Sequence, residues 1–288
     1  MRWDYGHIYK EIRQSKGLTQ KEVCGNFLSR SHLANIEQNR VMPSFEIMEY
    51  LLRQIDMDFR EFDYICNYYQ PNVRSQILLT VNQILSIPSL EELEEIQNLS
   101  QNYLNLYPQD IPIQNLLKQV DMIHEIHSNG FTSNKAQDLA QLLWKDLERR
   151  DTWYESDLRI LSTILFDFPF DQIKQITNRI LKNFEKYKHY LNLKQVQYST
   201  LSNLATLYLH HDDKDTCLRL SHQTLEIALQ QKRYDQLGFS QVRIGICKND
   251  KALINKGLTL LSITEENHLL SLLRSEIEQY TDLKEQPK

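Results

Sequence analysis

The chain has 288 residues, with 33 Lys and Arg against 38 Asp and Glu for a formal net charge of −5, and 41 % of its residues are apolar. That length and apolar share can bury the core of one large or two modest domains, which excludes a disordered chain. The acidic balance excludes a globally basic nucleic-acid coat but leaves room for a local basic face. Seven Gly and seven Pro, far below average usage, point to an almost wholly helical fold.

The first residues, "MRWDYGHIYK", lack the apolar centre of a signal peptide, and no run is apolar enough to cross a membrane, so a cytoplasmic protein with no membrane partner is expected. Cys24, Cys66, Cys217 and Cys247 lie far apart with no CxxC pair, which removes zinc-framework and thioredoxin-type readings and leaves reduced, mostly buried thiols.

Apolar residues recur at helical spacing over residues 5–16, 19–26, 29–38, 44–55 and 58–69. Gly17 ends the first of these helices, Thr19 with Glu22 forms a capping box for the second, and Ser44 after Pro43 caps the fourth. Beyond "NYYQP" the helices lengthen: 73–86, 89–107, 112–128, 132–149, 153–167, 170–187, 193–210, 213–230, 234–247, 250–262 and 265–281. Pro71 marks the expected boundary, with a five-helix domain over residues 1–68 and a second domain over 69–288.

The stretch "LSNLATLYLHHDDKDTCLRLSHQTLEIALQQKRYDQLGFSQVRIGIC" has the rhythm of tetratricopeptide-like repeats, with their Trp, Gly and Pro positions only partly filled. Successive helix pairs of this kind build a right-handed solenoid whose concave side, lined by the first helix of each pair, holds an extended peptide or a helix. Amide side chains can satisfy a peptide backbone and Arg can hold a carboxylate, so Arg159, Asn203, Thr206, Gln241 and Arg243 are the peptide-contact candidates, Asn203 first among them.

Residues 19–38 read as a capped helix, a turn at Gly25 and Asn26, and a second helix whose inward side is Leu33 and Ile36, which is helix-turn-helix spacing. Ser29 caps the second helix, and Arg30, Ser31, His32 and Asn35 fall on the exposed face near its N-terminal half, the part a recognition helix presents to base edges. Arg30 suits guanine O6 and N7, Asn35 suits adenine N6 and N7, and Ser31 and His32 reach a base or a phosphate. Gln20, at the start of the preceding helix, is expected to bond a phosphate. Residues 1–45 hold seven Lys or Arg, Arg40 included, against four acids, whereas residues 46–65 hold six acids against two Arg, so one face can meet phosphates. Exposed polar residues are usually no more than a solvated face; the capping box, the turn and the Leu33/Ile36 register together favour DNA contact.

"LTQKEV", "SRSHLANIEQNR" and "PSFEIMEYLL" resemble the Cro/repressor type of helix-turn-helix. More narrowly, "IRQSKGLTQKEVCGNFLSRSHLANIEQNRVMPSFEIMEYLLRQIDMDFREF" followed by a long helical region resembles the Rgg family of Gram-positive transcriptional regulators. The resemblance implies that Arg13 and Glu37 form a partly buried ion pair and that Cys24 fills a tight core slot. It also implies a cytoplasmic homodimer that binds promoter double-stranded DNA and senses a short signalling peptide in its repeat domain, with RNA polymerase as a further partner.

Two other readings stay open. The repeats could bind a protein partner constitutively, without a peptide ligand, while the helix-turn-helix anchors the pair to DNA. An enzyme in the helical domain has no motif behind it: GxSxG, HExxH, GxxxxGK and GxGxxG are all missing, and seven glycines supply few phosphate-cradling loops. His124 and His127 find no third ligand in the sequence, and "HHDDKD" reads as a polar turn, so neither a metal nor a cofactor is expected.

Overall fold

The computed structural model describes residues 4–84, 88–130, 133–190 and 193–281, and among these it is helical throughout with no strand. The chain divides into two compact units, Met1–Ile84 and Leu85–Lys288. The first carries α1 (Tyr5–Ser15), α2 (Gln20–Cys24), α3 (Arg30–Glu37), α4 (Phe45–Gln54), α5 (Phe59–Cys66) and α6 (Val73–Gln83). The division falls after α6 rather than at Pro71, and the Asn72 side chain that caps α6 also donates to Asp63 at the end of α5.

Caps set the ends of these short helices. Thr19 and Glu22 exchange their bonds, the Glu22 backbone N–H donating to Thr19 Oγ1 and the Thr19 backbone N–H donating to Glu22 Oε2. Ser29, Ser44 and Asp58 accept from the third backbone N–H of α3, α4 and α5. Tyr9, Val23, Leu33, Ile36, Leu51 and Phe62 form the core of this unit, each at most 2 % exposed. Burying a side chain of this size contributes about 1.5–3 kcal/mol. Gly6 is needed where α1 meets the end of α3, because a Cβ there would lie 1.7 Å from the Ile36 carbonyl oxygen.

Behind α3 lies a buried ion pair. Arg13 and Glu37 are 5 % and 1 % exposed, with Arg13 Nε donating to Glu37 Oε1 at 2.6 Å and Nη2 donating to Oε2 at 3.0 Å. Arg13 Nη1 also donates to the Leu18 carbonyl at 2.6 Å, which ties the turn before α2 to α1.

The second unit carries α7 (Leu90–Leu106), α8 (Ile111–Asn129), α9 (Asn134–Glu148), α10 (Glu155–Ile164), a 3-10 turn at Leu165–Asp167, α11 (Phe170–Lys186), α12 (Lys194–His210), α13 (Lys214–Gln231), α14 (Tyr234–Lys248), α15 (Lys251–Ile263) and α16 (Asn267–Tyr280). The expected helices over 73–86 and 132–149 ran onto residues 85, 86 and 132, which lie outside the described ones. The helix expected over 153–167 starts late and tightens at its end, because Trp153 is wholly buried before α10 with Nε1 donating to the Leu147 carbonyl and the Arg179 guanidinium over its ring.

From α7 to α10 and again from α11 to α16 each helix packs on the next in the chain, and α10 with α12 and α14 with α16 also pack across one helix. That pattern is the two-layer stacking of helical repeats. α14 and α15 approach closely: a Cβ on Gly257 would lie 2.5 Å from the Gly238 carbonyl oxygen. Among the described residues no helix is long and apolar enough to cross a membrane.

Glu37→Ala leaves the Arg13 guanidinium buried without its carboxylate, a change that costs about 3–5 kcal/mol. The expected result in the full chain is loss of protection against hydrogen exchange in α1–α3 at a lower denaturant concentration than in wild type. Unchanged protection would remove the pair from the forces holding α3.

Candidate functional sites

The helix-turn-helix is built from the inside outward. Val23 and Cys24 close α2 onto the core, Gly25 turns the chain at φ +49°, and the Tyr50 hydroxyl donates to the Cys24 carbonyl at 3.1 Å. Phe27 stacks on the Tyr50 ring with centroids 4.4 Å apart, which fixes the approach to α3. Leu33, Ile36 and Glu37 then face inward, and Arg30 and Ser31 stand exposed with Asn35 half-buried one turn beyond Ser31.

Ser29 is the N-cap, its hydroxyl accepting the His32 backbone N–H at 3.2 Å and lying 3.1 Å from the Ser31 hydroxyl. His32 is half-buried, and Arg40 is exposed just past the end of α3, where its backbone N–H donates to the Asn35 carbonyl. Gln38 is exposed two turns on from Ser31 and shares that face; the same spacing that selects Ser31 and Asn35 reaches it, so it was within reach of the sequence. Gln20 differs from expectation. Its Nε2 donates to Glu37 Oε2 at 2.9 Å, because the buried carboxylate takes up a third donor, so Gln20 belongs to the polar lock behind α3.

In the second unit a row of amide and hydroxyl groups links alternate helices. Thr163 Oγ1 donates to Gln119 Oε1 (α10 to α8), Asn203 Nδ2 donates to the Ser162 carbonyl at 2.9 Å (α12 to α10), and Gln236 Nε2 donates to Gln195 Oε1 at 3.0 Å (α14 to α12). The Tyr198 hydroxyl donates to the Gln236 carbonyl at 3.0 Å, and burial pushes that phenol up to about 12. Gln119, Thr163, Gln195 and Gln236 are the members that sequence reasoning missed. Glutamine and threonine are common on solvated helix faces, and nothing local separates these four from the rest.

The five residues expected in a groove do not act alike. Asn203 is half-buried in this row, and Thr206 is half-buried one turn along α12 with its hydroxyl donating to the Ser202 carbonyl. Arg159 is exposed and paired to Glu155 on its own helix at 2.9 Å. Gln241 and Arg243 differ from expectation in being buried, at 8 % and 1 % exposed. Arg243 Nη2 lies 2.8 Å from Glu276 Oε2 and so ties α14 to α16, while among the described residues its Nε and Nη1 find no hydrogen-bond partner, nor do Gln236 Oε1 and Gln241 Oε1.

"HHDDKD" is a turn between α12 and α13, with Asp212 at φ +60° and Asp213 capping α13. His124 lies 3.9 Å from Glu94, and the described residues contain no group of three potential metal ligands.

A separate depression of about 840 Å³ lies between α9 and the start of α11, with Trp144, Phe168 and Asp167 in its wall. Asp167 Oδ2 is buried without a hydrogen-bond partner among the described residues, and loss of hydration raises this carboxyl from its ordinary 3.8 to about 6.

These features define a helix-turn-helix DNA-binding unit joined to a domain of stacked helix pairs. Comparison with known proteins agrees: residues 10–62 match the helix-turn-helix family profile, and residues 89–272 match the profile of the HTH-type transcriptional regulator Rgg, C-terminal domain. The second match spans more than half of the chain, which therefore belongs to the Rgg family of transcriptional regulators.

Solved structures share the fold at low identity. A candidate transcriptional regulator from Listeria monocytogenes EGD-e is 17 % identical over 97 % of this chain and 98 % of its own, with a TM-score of 0.74. Bacillus thuringiensis PlcR, solved with the peptide PapR7 and DNA, is 16 % identical over 94 % and 99 %, with a TM-score of 0.67. The Streptococcus dysgalactiae SHP pheromone receptor Rgg2 is 13 % identical over 96 % and 99 %, also at 0.67. No curated protein matches the chain.

Asp167 gives a pH signature. Its folded value is raised, so the folded state keeps a proton that the unfolded chain has released. The stability this contributes is full below about pH 4 and is lost as pH rises through about 6. Asp167→Asn should flatten that part of the curve, so urea midpoints of wild type and variant should diverge between about pH 4 and 7, the variant being the more stable at the upper end. Parallel curves would show that Asp167 does not titrate there.

Proposed function

We propose that this Rgg-family chain is a sequence-specific transcriptional regulator that acts in the cytoplasm as a homodimer, reads promoter DNA through α3 and is controlled by a short peptide held on the α8–α10–α12–α14 face. The observation that carries the DNA half is a capped helix whose Leu33, Ile36 and Glu37 are locked inward while Arg30 and Ser31 are left outward. Ser29, Arg30, Ser31, His32 and Asn35 are the contact set, with Arg40 on a phosphate; Gln20 acts indirectly, by holding Glu37. A homodimer implies paired half-sites about one helical turn apart, or a multiple of that. RNA polymerase would be the partner of the DNA-bound dimer.

The peptide half is supported by the amide row and its unspent capacity. Asn203 and Gln195, both half-buried, each have more hydrogen-bonding positions than the one bond they make to a neighbouring helix. Extended peptide backbone needs donors and acceptors at this kind of spacing, and in related folds PlcR has been solved with the peptide PapR7 and ComR with its signalling peptide ComS. A peptide shifts DNA occupancy only so far as it binds two arrangements of the dimer with different affinity. Constitutive docking of a protein partner on the same face is the rival reading, and a peptide that changes DNA occupancy speaks against it.

Arg30→Ala should lose about 1–3 kcal/mol of discrimination at a single base pair and relax specificity there, as read by selection from a randomised operator library. An unchanged selected site would remove Arg30 from the reading edge. Asn203→Ala should weaken binding of the synthetic peptides encoded beside its gene, with DNA affinity in the absence of peptide unchanged. Equal peptide affinity in a folded variant would move the ligand off this face.

A further inference from the structure

Helices α13 and α14 run antiparallel, and their facing residues are small. The Thr224 and Ser240 hydroxyls meet at 2.9 Å, and two turns further along both helices the sulfurs of Cys217 and Cys247 meet at 3.3 Å. Ser221 lies between the two contacts on α13, its hydroxyl 3.9 Å from Cys217 Sγ. A seam of Cys, Ser and Thr side chains lets two helix backbones approach closely, as an interhelical cross-link requires.

The pair is sheltered but reachable. Cys217 is buried, whereas Cys247 is half-buried and lines a depression of about 260 Å³ together with Lys214, Asn249 and Gln279. The electrostatics make Cys217 the more readily ionised of the two thiols. The Cys247 S–H donates to Cys217, and with the Arg243 guanidinium nearby it holds the Cys217 thiol below its ordinary value. The same shared proton, together with burial, pushes Cys247 up. Cys24 offers a contrast: burial in the first unit pushes its thiol up. A thiolate beside a second sulfur is the arrangement that reacts with oxidants, whereas a protonated buried thiol is inert.

We propose that Cys217 and Cys247 form a reversible disulfide on exposure to a peroxide, which makes the α13–α14 seam a redox modification site. The thiolate of the pair attacks one peroxide oxygen and becomes a sulfenic acid. The O–O bond breaks, and the other oxygen leaves with the bonding electrons, taking up a proton as water. The second sulfur then attacks the sulfenic sulfur; the S–S bond forms, the S–O bond breaks, and the hydroxide leaves as a second water with the proton of the second thiol. Two thiols and one hydrogen peroxide become one disulfide and two waters, the sulfurs giving up two electrons and the peroxide oxygens accepting them. A dithiol reverses the change.

The test uses the folded full chain treated with hydrogen peroxide, then alkylated under denaturing conditions and digested with trypsin. Cleavage releases Cys217 in "DTCLR" and Cys247 in "IGICK". The expected result is a single species joining these two peptides, lighter than their sum by two hydrogens and lost on treatment with dithiothreitol. It should form faster in the folded chain than in urea, since the fold supplies the proximity. Recovery of both peptides alkylated, of Cys247 as a sulfinic or sulfonic acid with Cys217 alkylated, or of the linked species at equal rate in urea overturns the proposal.

Discussion

The recognition helix is held in place by a carboxylate in an unfavourable position. Glu37 sits in the last turn of α3, where the helix dipole already disfavours negative charge, and it is removed from water. Three donors compensate it: two from Arg13 on α1 and one from Gln20 on α2. An eight-residue helix is marginal on its own, so the rotation of α3 is set by what lies behind it. The outward direction of Arg30 and Ser31 follows from that inward lock as much as from the apolar register of Leu33 and Ile36.

The repeat unit uses buried polar groups differently. α12 and α14 are enclosed on most sides, yet they carry Asn203, Tyr198, Gln236 and Arg243, and buried polar groups need partners. Each finds one on the next helix of the row or across it, so these bonds set the register of helix on helix. The α14–α15 contact needs no such bond, because Gly238 and Gly257 let two backbones meet directly. Polar register on one side of α14 and close steric approach on the other hold that helix from two directions.

The helices were legible because their causes are local. Apolar spacing fixed their existence, and Thr19, Ser29 and Ser44 marked their starts with side chains that the structure finds on backbone N–H groups. Arg30 and Ser31 were legible for the same reason, since helical spacing alone turns them away from Leu33 and Ile36. Gln20 and Arg243 were not. The partner that claims Gln20 lies 17 residues away and the one that claims Arg243 lies 33 residues away, and no spacing rule brings Glu37 or Glu276 to them. Trp153 was misread as helical because its tertiary pocket, closed by Arg179 from α11, overrides local pattern. The meeting of Cys217 with Cys247 belongs to the same class: the two lie 30 residues apart, and only the antiparallel pairing of α13 and α14 brings them together.

The amide row carries a consequence for how occupancy could change shape. A side-chain amide has two N–H donors and a carbonyl oxygen, so the bond from Asn203 to the Ser162 carbonyl leaves further capacity on the same group. A ligand bonding that remaining capacity bonds to the residues that set the α10–α12–α14 register, and it has no need to reach a distant relay. Any geometry it imposes on an amide is passed to the neighbouring helix through the bond that amide already makes. A ligand on this face therefore has a physical reason to bind two registers of the repeat with different affinity, which is the condition for it to shift the equilibrium between them.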